Sequence, residues 1–470
     1  MAVTDAEKRP EPIREREEGP AGKNGPSPLC AGIDIGTTTL SAAVAEEETG
    51  KCAASRTVVT GADLEGKEPW EKLQDPRLIL TRARELLDSL LDRFPGIRSI
   101  GFSGQMHGIL YLDGNGDALS PLYTWQDGRA GVGSPSVCGR IEAETGYRLS
   151  PGYGIATHAY NRENGLVPAG AVTLSTVMDW AAASLCGRIS PVIHSTNAAG
   201  LGLYRADEGD FDRRALERLG IGRDCLPAVT DSAALIGTYR GIPVSVPIGD
   251  NQASFLGAVR DPETSALANI GTGSQISVLL RPGEEKNPAL RLSPSVELRP
   301  MGDGFSLVCG SALCGGRAYA MLERFFREYL EACGMEAGEQ YEVMNRLALA
   351  GLGKTSLSVA PTFCGTREDP GARGSIGGIA EDGFTPEALA AGFVRGMAGE
   401  LADLFHQIPH GRIRTLVVSG NAVRRNPALR QALGEAFGLE TVLPDCTEEA
   451  ACGAALFSAR AAGIAPEPVP

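Results

Sequence analysis

The sequence predicts an α/β protein made of two related domains that face each other across a cleft. Three observations predict it. Strand-like and helix-like segments alternate along the chain, one strand–turn–strand pattern occurs twice, and a second strand motif follows each copy.

The first copy is IDIGTTTLSAAVA (33–45) and the second is ANIGTGSQISVLL (268–280). Each sets Ile-Gly-Thr between apolar runs, which reads as a strand, a tight glycine turn and a return strand. Asp34 corresponds to Asn269, 235 positions later and half the 470-residue length. The second echo pairs RSIGFSGQ (98–105) with RTLVVSGN (414–421), a buried strand closing on Ser-Gly-amide. The same order in both halves points to duplication rather than a tandem array. Chance similarity of short motifs is the alternative.

The remaining elements follow in order. Residues 1–28 are polar, charged and rich in Pro and Gly, without the apolar run of a signal peptide, and are expected to be a disordered tail. Helical periodicity marks 76–94, and 172–188 reads as a helix ending near Gly187. IPVSVPIGD (242–250) reads as a strand that stops at Gly-Asp. Thr-Pro-Glu opens a long helix over 384–408, and a small-residue helix covers 448–463. The expected domains are 29–257 and 258–470.

Bulk composition narrows the function. The net charge is −14, the wrong sign for a generic nucleic-acid binder. No run of about 20 apolar residues exists, so no membrane span or membrane partner is expected. The 11 cysteines are scattered, odd in number and form no CxxC pair. That favours a reduced, cytoplasmic thiol set over zinc or a disulfide framework. ALAGLGKT (348–355) approaches a P-loop, but Ala348 stands where Gly is required, and a helix precedes and a strand follows where the reverse is needed. No GxGxxG opening a helix supports a dinucleotide enzyme.

Phosphate oxygens need several donors at close range, and a tight glycine turn supplies them as a nest of backbone N–H groups. Gly36-Thr37-Thr38-Thr39 and Gly271-Thr272-Gly273-Ser274 both fit. Either turn alone also fits a plain hairpin; two at equivalent places suggest a grip on one triphosphate from both sides. Asp34, at a strand end before the first turn, suits a Mg²⁺ ion beside the phosphates, or else caps the turn. Asp250 suits a base that accepts a hydroxyl proton, or else an ordinary helix N-cap. Gln105-Met106-His107 and Trp125-Gln126-Asp127-Gly128-Arg129 offer amide, imidazole, indole and carboxylate groups for a polyol. His107 and Trp125 each also fit core packing.

Together these motifs resemble those of the FGGY family of carbohydrate kinases, from about Gly32 to Ala462. The resembling stretches are DIGTTT (34–39), GQMHG (104–108), WQDGR (125–129), DWAAASLCGRISPVIHSTNAAGLGLYR (179–205), GDNQAS (249–254), NIGTGSQ (269–275), PTFCGTREDPGARGSIGGI (361–379), SGNAVRRNP (419–427) and ACGAALFSA (451–459). The resemblance implies two ribonuclease H-like domains of the actin/hexokinase/Hsp70 type. It implies ATP and Mg²⁺, with Asp250 as base and Asp34 at the metal. Gly36, Thr37, Thr38, Thr39, Gly271, Thr272, Gly273, Gly316, Gly420 and Asn421 would hold ATP. Gln105, Met106, His107, Trp125, Asp127 and Asn251 would hold the sugar. The acceptor implied by TWQDGR, GYGIATH, SALCGGRAYA and NAVRRN is a ketose, sedoheptulose first, with xylulose or another polyol as the alternative. A monomer or homodimer is expected. An inactive sugar-binding regulator is the rival of a different class. The chain departs from the family pattern at Gly365-Thr366-Arg367, where Glu is usual at the middle position, and in having one glycine in the adenosine motif.

Overall fold

The computed structural model describes residues 14–15 and 28–464. The expected disordered tail lies largely outside these residues. Within it, Arg14–Glu15 forms a two-residue strand paired antiparallel with Ser55 and Ala54.

Two sheets form the framework. The first has seven strands in the order 14–15, 52–59, 39–46, 29–35, 97–104, 242–245, 235–239. The second has six, in the order 296–302, 305–312, 274–280, 265–270, 415–419, 440–442. Their inner strands repeat one plan. In the first lobe, Leu29–Ile35 pairs antiparallel with Thr39–Glu46 and parallel with Ile97–Gly104. In the second, Ser265–Ile270 pairs antiparallel with Ser274–Leu280 and parallel with Thr415–Ser419. The register matches too: Asp34 lies opposite Ser103, and Asn269 opposite Ser419. Both sequence echoes therefore occupy equivalent strands.

The inner strands are buried on both faces, so they read as near-continuous apolar runs rather than alternating ones. Pro76–Arg93 packs Ile79, Ala83, Leu86, Leu87 and Leu90 inward, with Asp75 capping its first turn through Arg77 N and Leu78 N. Pro386–Phe405 does the same for the second lobe and is capped by Thr385, as the Thr-Pro-Glu signal predicts. A separate core around Ile109, Tyr111, Ile155, Ile193 and Phe211 fills the long insertion between the 97–104 and 235–245 strands.

Two predicted elements need correction. Residues 172–188 divide into a strand, Thr173–Ser175, and a helix, Val177–Leu185; Thr176 caps the helix through Asp179 N and so starts it later than periodicity suggests. The strand expected over 242–250 ends at Ser245, and Asp250 is the first residue of the helix Asp250–Ala258. The thiol expectation also changes: Cys446 and Cys452, six positions apart, form a disulfide, with the Cys52 sulfur within 4.8 Å of both.

The last helix, Glu449–Ala461, belongs to the second half of the chain but packs on the first sheet and on the Asp250–Ala258 helix. Glycines permit the contact. A Cβ at Gly32 would sit 1.9 Å from Ala451 O, one at Gly101 1.9 Å from Ala454 O, and one at Gly453 1.7 Å from Ala253 O. Ser99 and Ser458 hydroxyls meet across this buried seam at 2.8 Å. Among the described residues no helix is long and apolar enough to cross a membrane.

Candidate active site

Two carboxylates mark the cleft on the side of the first lobe. Asp34 is the last residue but one of a central strand and accepts a hydrogen bond from the Ser103 hydroxyl at 2.7 Å. Burial pushes its carboxyl up to about 7; the Ser103 bond opposes this, while the charges of Asp250 and Glu448 add to it. Asp250 is open to cleft water yet surrounded by protein on most sides. Desolvation raises its carboxyl above the ordinary value, against the Asn251 N–H bond (2.7 Å) and the Arg299 charge. It makes no ion pair among the described residues.

The loop before Asp250 is held from beneath. Asn197 donates to Pro247 O (3.1 Å) and to Asp179 (3.4 Å), and Thr196 Oγ1 accepts from Gly249 N at 3.0 Å. Burial pushes Asp179 up to about 8. A Cβ at Gly249 would sit 2.7 Å from Gln252 Oε1 and 3.3 Å from Asn197 Oδ1, so these side chains would have to give way to anything larger than glycine. These supports lie in the 179–197 stretch, whose resemblance was legible but whose role was not.

Around this loop the polyol candidates separate. Gln105 is buried, donates to Gln74 Oε1 at 3.0 Å, and leaves its own Oε1 without a protein partner. His107 stacks on Tyr153, centroids 4.6 Å apart and planes 12° apart. Its Nδ1–H donates to Gly200 O at 2.7 Å, because a carbonyl can only accept, so Nε2 keeps its lone pair. Burial lowers its pKa to about 4, so the ring is neutral near pH 7. Trp125 is half exposed, and its Nε1–H donates to Thr37 Oγ1 at 2.9 Å. Met106 is buried beneath the Gly249 loop and packs as core.

Two candidates are engaged elsewhere. Asp127 is fully buried, and both its oxygens accept bonds: from Arg129 Nε (2.7 Å), Arg129 Nη2 (3.0 Å) and Lys72 N (3.1 Å). Its carboxylate braces the loop that carries Trp125. Asn251 donates to Gln275 Oε1 at 2.9 Å and accepts from Cys309 Sγ at 3.2 Å, so its amide ties the two lobes together.

The second lobe presents two adjoining cavities. One, about 620 Å³, is lined by Gly271, Thr272, Gly316, Arg317, Gly420, Asn421 and neighbours. The other, about 670 Å³ and more apolar, shares Gly316 and Asn421 with it and adds Tyr319, Tyr341 and Met397. Backbone bonds from Gly316 N to Gly271 O (2.8 Å) and Arg317 N to Thr272 O (3.2 Å) knit the turn to the helix Gly316–Ala332. Gly420 has φ +97°, and a Cβ there would lie 2.3 Å from Ile270 O. Gly36 to Thr39 do not line these cavities; their turn lies beside Trp125, Gln74 and Gln105.

Sequence reasoning missed Arg299 and Glu297. They sit on the Val296–Gly302 strand of the second lobe, and no local motif marks them. Arg299 pairs with Glu297 at 2.9 Å, and Glu297 with Arg367 at 2.7 Å. Arg367 thus gains a partner that explains the arginine of the Gly365-Thr366-Arg367 element.

Comparison with known proteins agrees along the chain. Residues 29–265 match the N-terminal domain of the FGGY family of carbohydrate kinases, and 267–462 match its C-terminal domain. Sedoheptulokinase of Mus musculus is 28% identical over 469 residues, covering 91% of this chain and 97% of that protein. Apulose kinase of Pectobacterium atrosepticum is 27% identical, covering 93% and 90%. The solved xylulose kinase of Lactobacillus acidophilus superposes with a TM-score of 0.77 at 21% identity, over 93% of this chain and 90% of that one.

Proposed function

The chain belongs to the FGGY family of carbohydrate kinases, and on that premise we propose that it moves the γ-phosphoryl group of ATP onto the terminal hydroxyl of a ketose, sedoheptulose first. The observation that carries this reading is Asp250. It is an exposed carboxylate at the start of a helix, free of ion pairs among the described residues and near enough to Asp34 for the two charges to interact.

In the proposed reaction the hydroxyl proton passes to Asp250, the freed oxygen bonds to the γ-phosphorus, and the bond to the β-phosphate oxygen breaks to release ADP. Gly271, Thr272 and Gly273, with Gly316, Gly420 and Asn421, hold the phosphates and ribose. The apolar cavity beside Tyr319 takes the base. Gly36 to Thr39 approach the phosphate tail from the opposite lobe. Gln105, His107 and Trp125 face the sugar, Gln105 through its unpartnered Oε1 and His107 through Nε2. Residues 29–257 then carry the acceptor and 258–470 the nucleotide. Lobe closure would exclude water, which is a competing acceptor.

The donor set fits a hard divalent cation. Asp34 supplies carboxylate oxygens at the strand end before the first glycine turn, which suit such an ion directly or through water. Mg²⁺ bound there would neutralise the phosphate charge.

Sedoheptulose is favoured by the full-length similarity to a sedoheptulokinase. ADP release should be measured over ketoses and polyols, with sedoheptulose, xylulose and glycerol as the main arms. Turnover highest on sedoheptulose is expected. A preference for another sugar would replace the acceptor, and no sugar-dependent ADP release at all would overturn the kinase reading in favour of a binding protein.

A further inference from the structure

We propose that Arg299 completes the acceptor site from the opposite lobe, binding an oxygen of the ketose through guanidinium donors that Glu297 leaves open. This deepens the kinase reading above and rests on it.

The placement comes first. Arg299 lies on the strand Val296–Gly302 of the second sheet, yet this strand packs against the first lobe. Gln252, on the helix that begins at Asp250, donates to Pro300 O at 2.8 Å, one residue from Arg299. A Cβ at Gly302 would lie 3.1 Å from the His194 ring of the first lobe. The strand is thus clamped against the helix that carries the proposed base.

The guanidinium is held in place beforehand. Glu297 takes Arg299 Nη2 on one side and Arg367 Nη1 on the other. The neighbouring Glu368 accepts from Ser293 Oγ (3.0 Å), Ser295 N (3.0 Å) and Ser295 Oγ (2.5 Å), which ties the Arg367 loop to the start of the same strand. A side chain fixed this way loses little freedom when a ligand arrives.

The surroundings then indicate what it meets. Glu297 lies in register opposite Cys309, whose Sγ donates to Asn251 Oδ1 beside Asp250 (3.2 Å). The Arg299–Glu297 pair is close enough for its charges to act on Asp250 (Arg299) and on His107 and Tyr153 (both). These are the base and the stacked ring pair of the proposed sugar pocket. Only about a fifth of the Arg299 side chain is exposed, and Glu297 is its one side-chain hydrogen-bond partner among the described residues. Five donors in a rigid fork with one carboxylate partner leave N–H groups for a hydroxyl or ketone oxygen. The first lobe contributes acceptors, the unpartnered Gln105 Oε1 and the His107 Nε2 lone pair, and Arg299 adds donors, so together they offer both halves of the hydrogen bonds a polyhydroxyl chain makes.

The test is steady-state kinetics of the full-length enzyme with sedoheptulose and xylulose. Arg299→Met should raise the ketose KM about 10- to 100-fold while the ATP KM stays within about twofold. Arg299→Lys, which keeps the charge and loses the fork, should fall between wild type and Arg299→Met. Melting temperatures of all three proteins accompany the kinetics. A ketose KM within about twofold of wild type in Arg299→Met would overturn the proposal. So would parallel rises in both KM values with a lowered melting temperature, since that marks a structural role. Wild type inactive on every ketose would instead sink the kinase reading itself, which separates the two failures.

Discussion

The two lobes repeat one strand plan, yet differ at the position where the repeat matters most. In the first lobe the last strand residue but one is Asp34, bonded to the Ser103 hydroxyl at 2.7 Å. In the second it is Asn269, opposite Ser419, whose buried hydroxyl has no protein partner among the described residues. One lobe therefore carries an ionisable carboxyl beside its glycine turn, and the other a neutral amide. If the proposed nucleotide rests on both turns, its triphosphate would meet a neutral amide end on one side and a carboxyl suited to a cation on the other. The strand plan is shared, and Asp34 against Asn269 is the difference at its equivalent position.

That contrast can be broken in several places, in descending order of effect. Asp250→Asn removes the proposed base and should lower kcat by about 10²- to 10⁴-fold, with the ATP KM little changed. Near-normal turnover would show that the carboxylate is only a helix-start residue. Asp34→Asn makes the first lobe resemble the second and should lower kcat on the order of 10²-fold, partly recovered by higher Mg²⁺ in the same ADP-release assay. The reverse change, Asn269→Asp, places a second charge beside the phosphates and should raise the ATP KM by about 10-fold or more through like-charge repulsion; an unchanged ATP KM would place the triphosphate elsewhere.

The pH profile sharpens the same comparison. Both cleft carboxyls are raised by burial, so each holds its proton to higher pH than an exposed aspartate. Turnover should therefore be present above these values and lost as pH falls through them. Because Asp34 sits at about 7, protons compete with Mg²⁺ below that pH. The Mg²⁺ needed for half-maximal rate should climb as pH drops from about 8 to 6, and this climb should flatten in Asp34→Asn. The smallest effect concerns the seam. Ser458→Ala leaves the buried Ser99 hydroxyl without its partner and should lower unfolding free energy by about 1 to 3 kcal/mol in a urea titration, with kcat nearly unchanged.

What was legible in the sequence was whatever repeats or punctuates. The glycine turns, the Ser-Gly-amide endings and the Thr385 cap all appear in the expected elements, because turn and cap chemistry is local. The 172–188 stretch was misread because alanine-rich periodicity does not register a strand of three residues before a capped helix. Asp127 looked like a sugar ligand because the sequence could not show that Arg129, two residues on, folds back onto it. Arg299 was invisible for a different reason. It reaches the cleft through a crossing of two lobes, and that contact has no signature within its own strand.

The last helix gives the molecule one more property. Where Gly32, Gly101 and Gly453 bring main chain against main chain, no side chain lies between the surfaces to slide or be compressed. The seam therefore tolerates no added side chain: an alanine at any of the three glycines would have to push main chain apart. Removing Glu449–Ala461 would strip the first sheet of this cover and open the buried Ser99 hydroxyl, deprived of Ser458, to water.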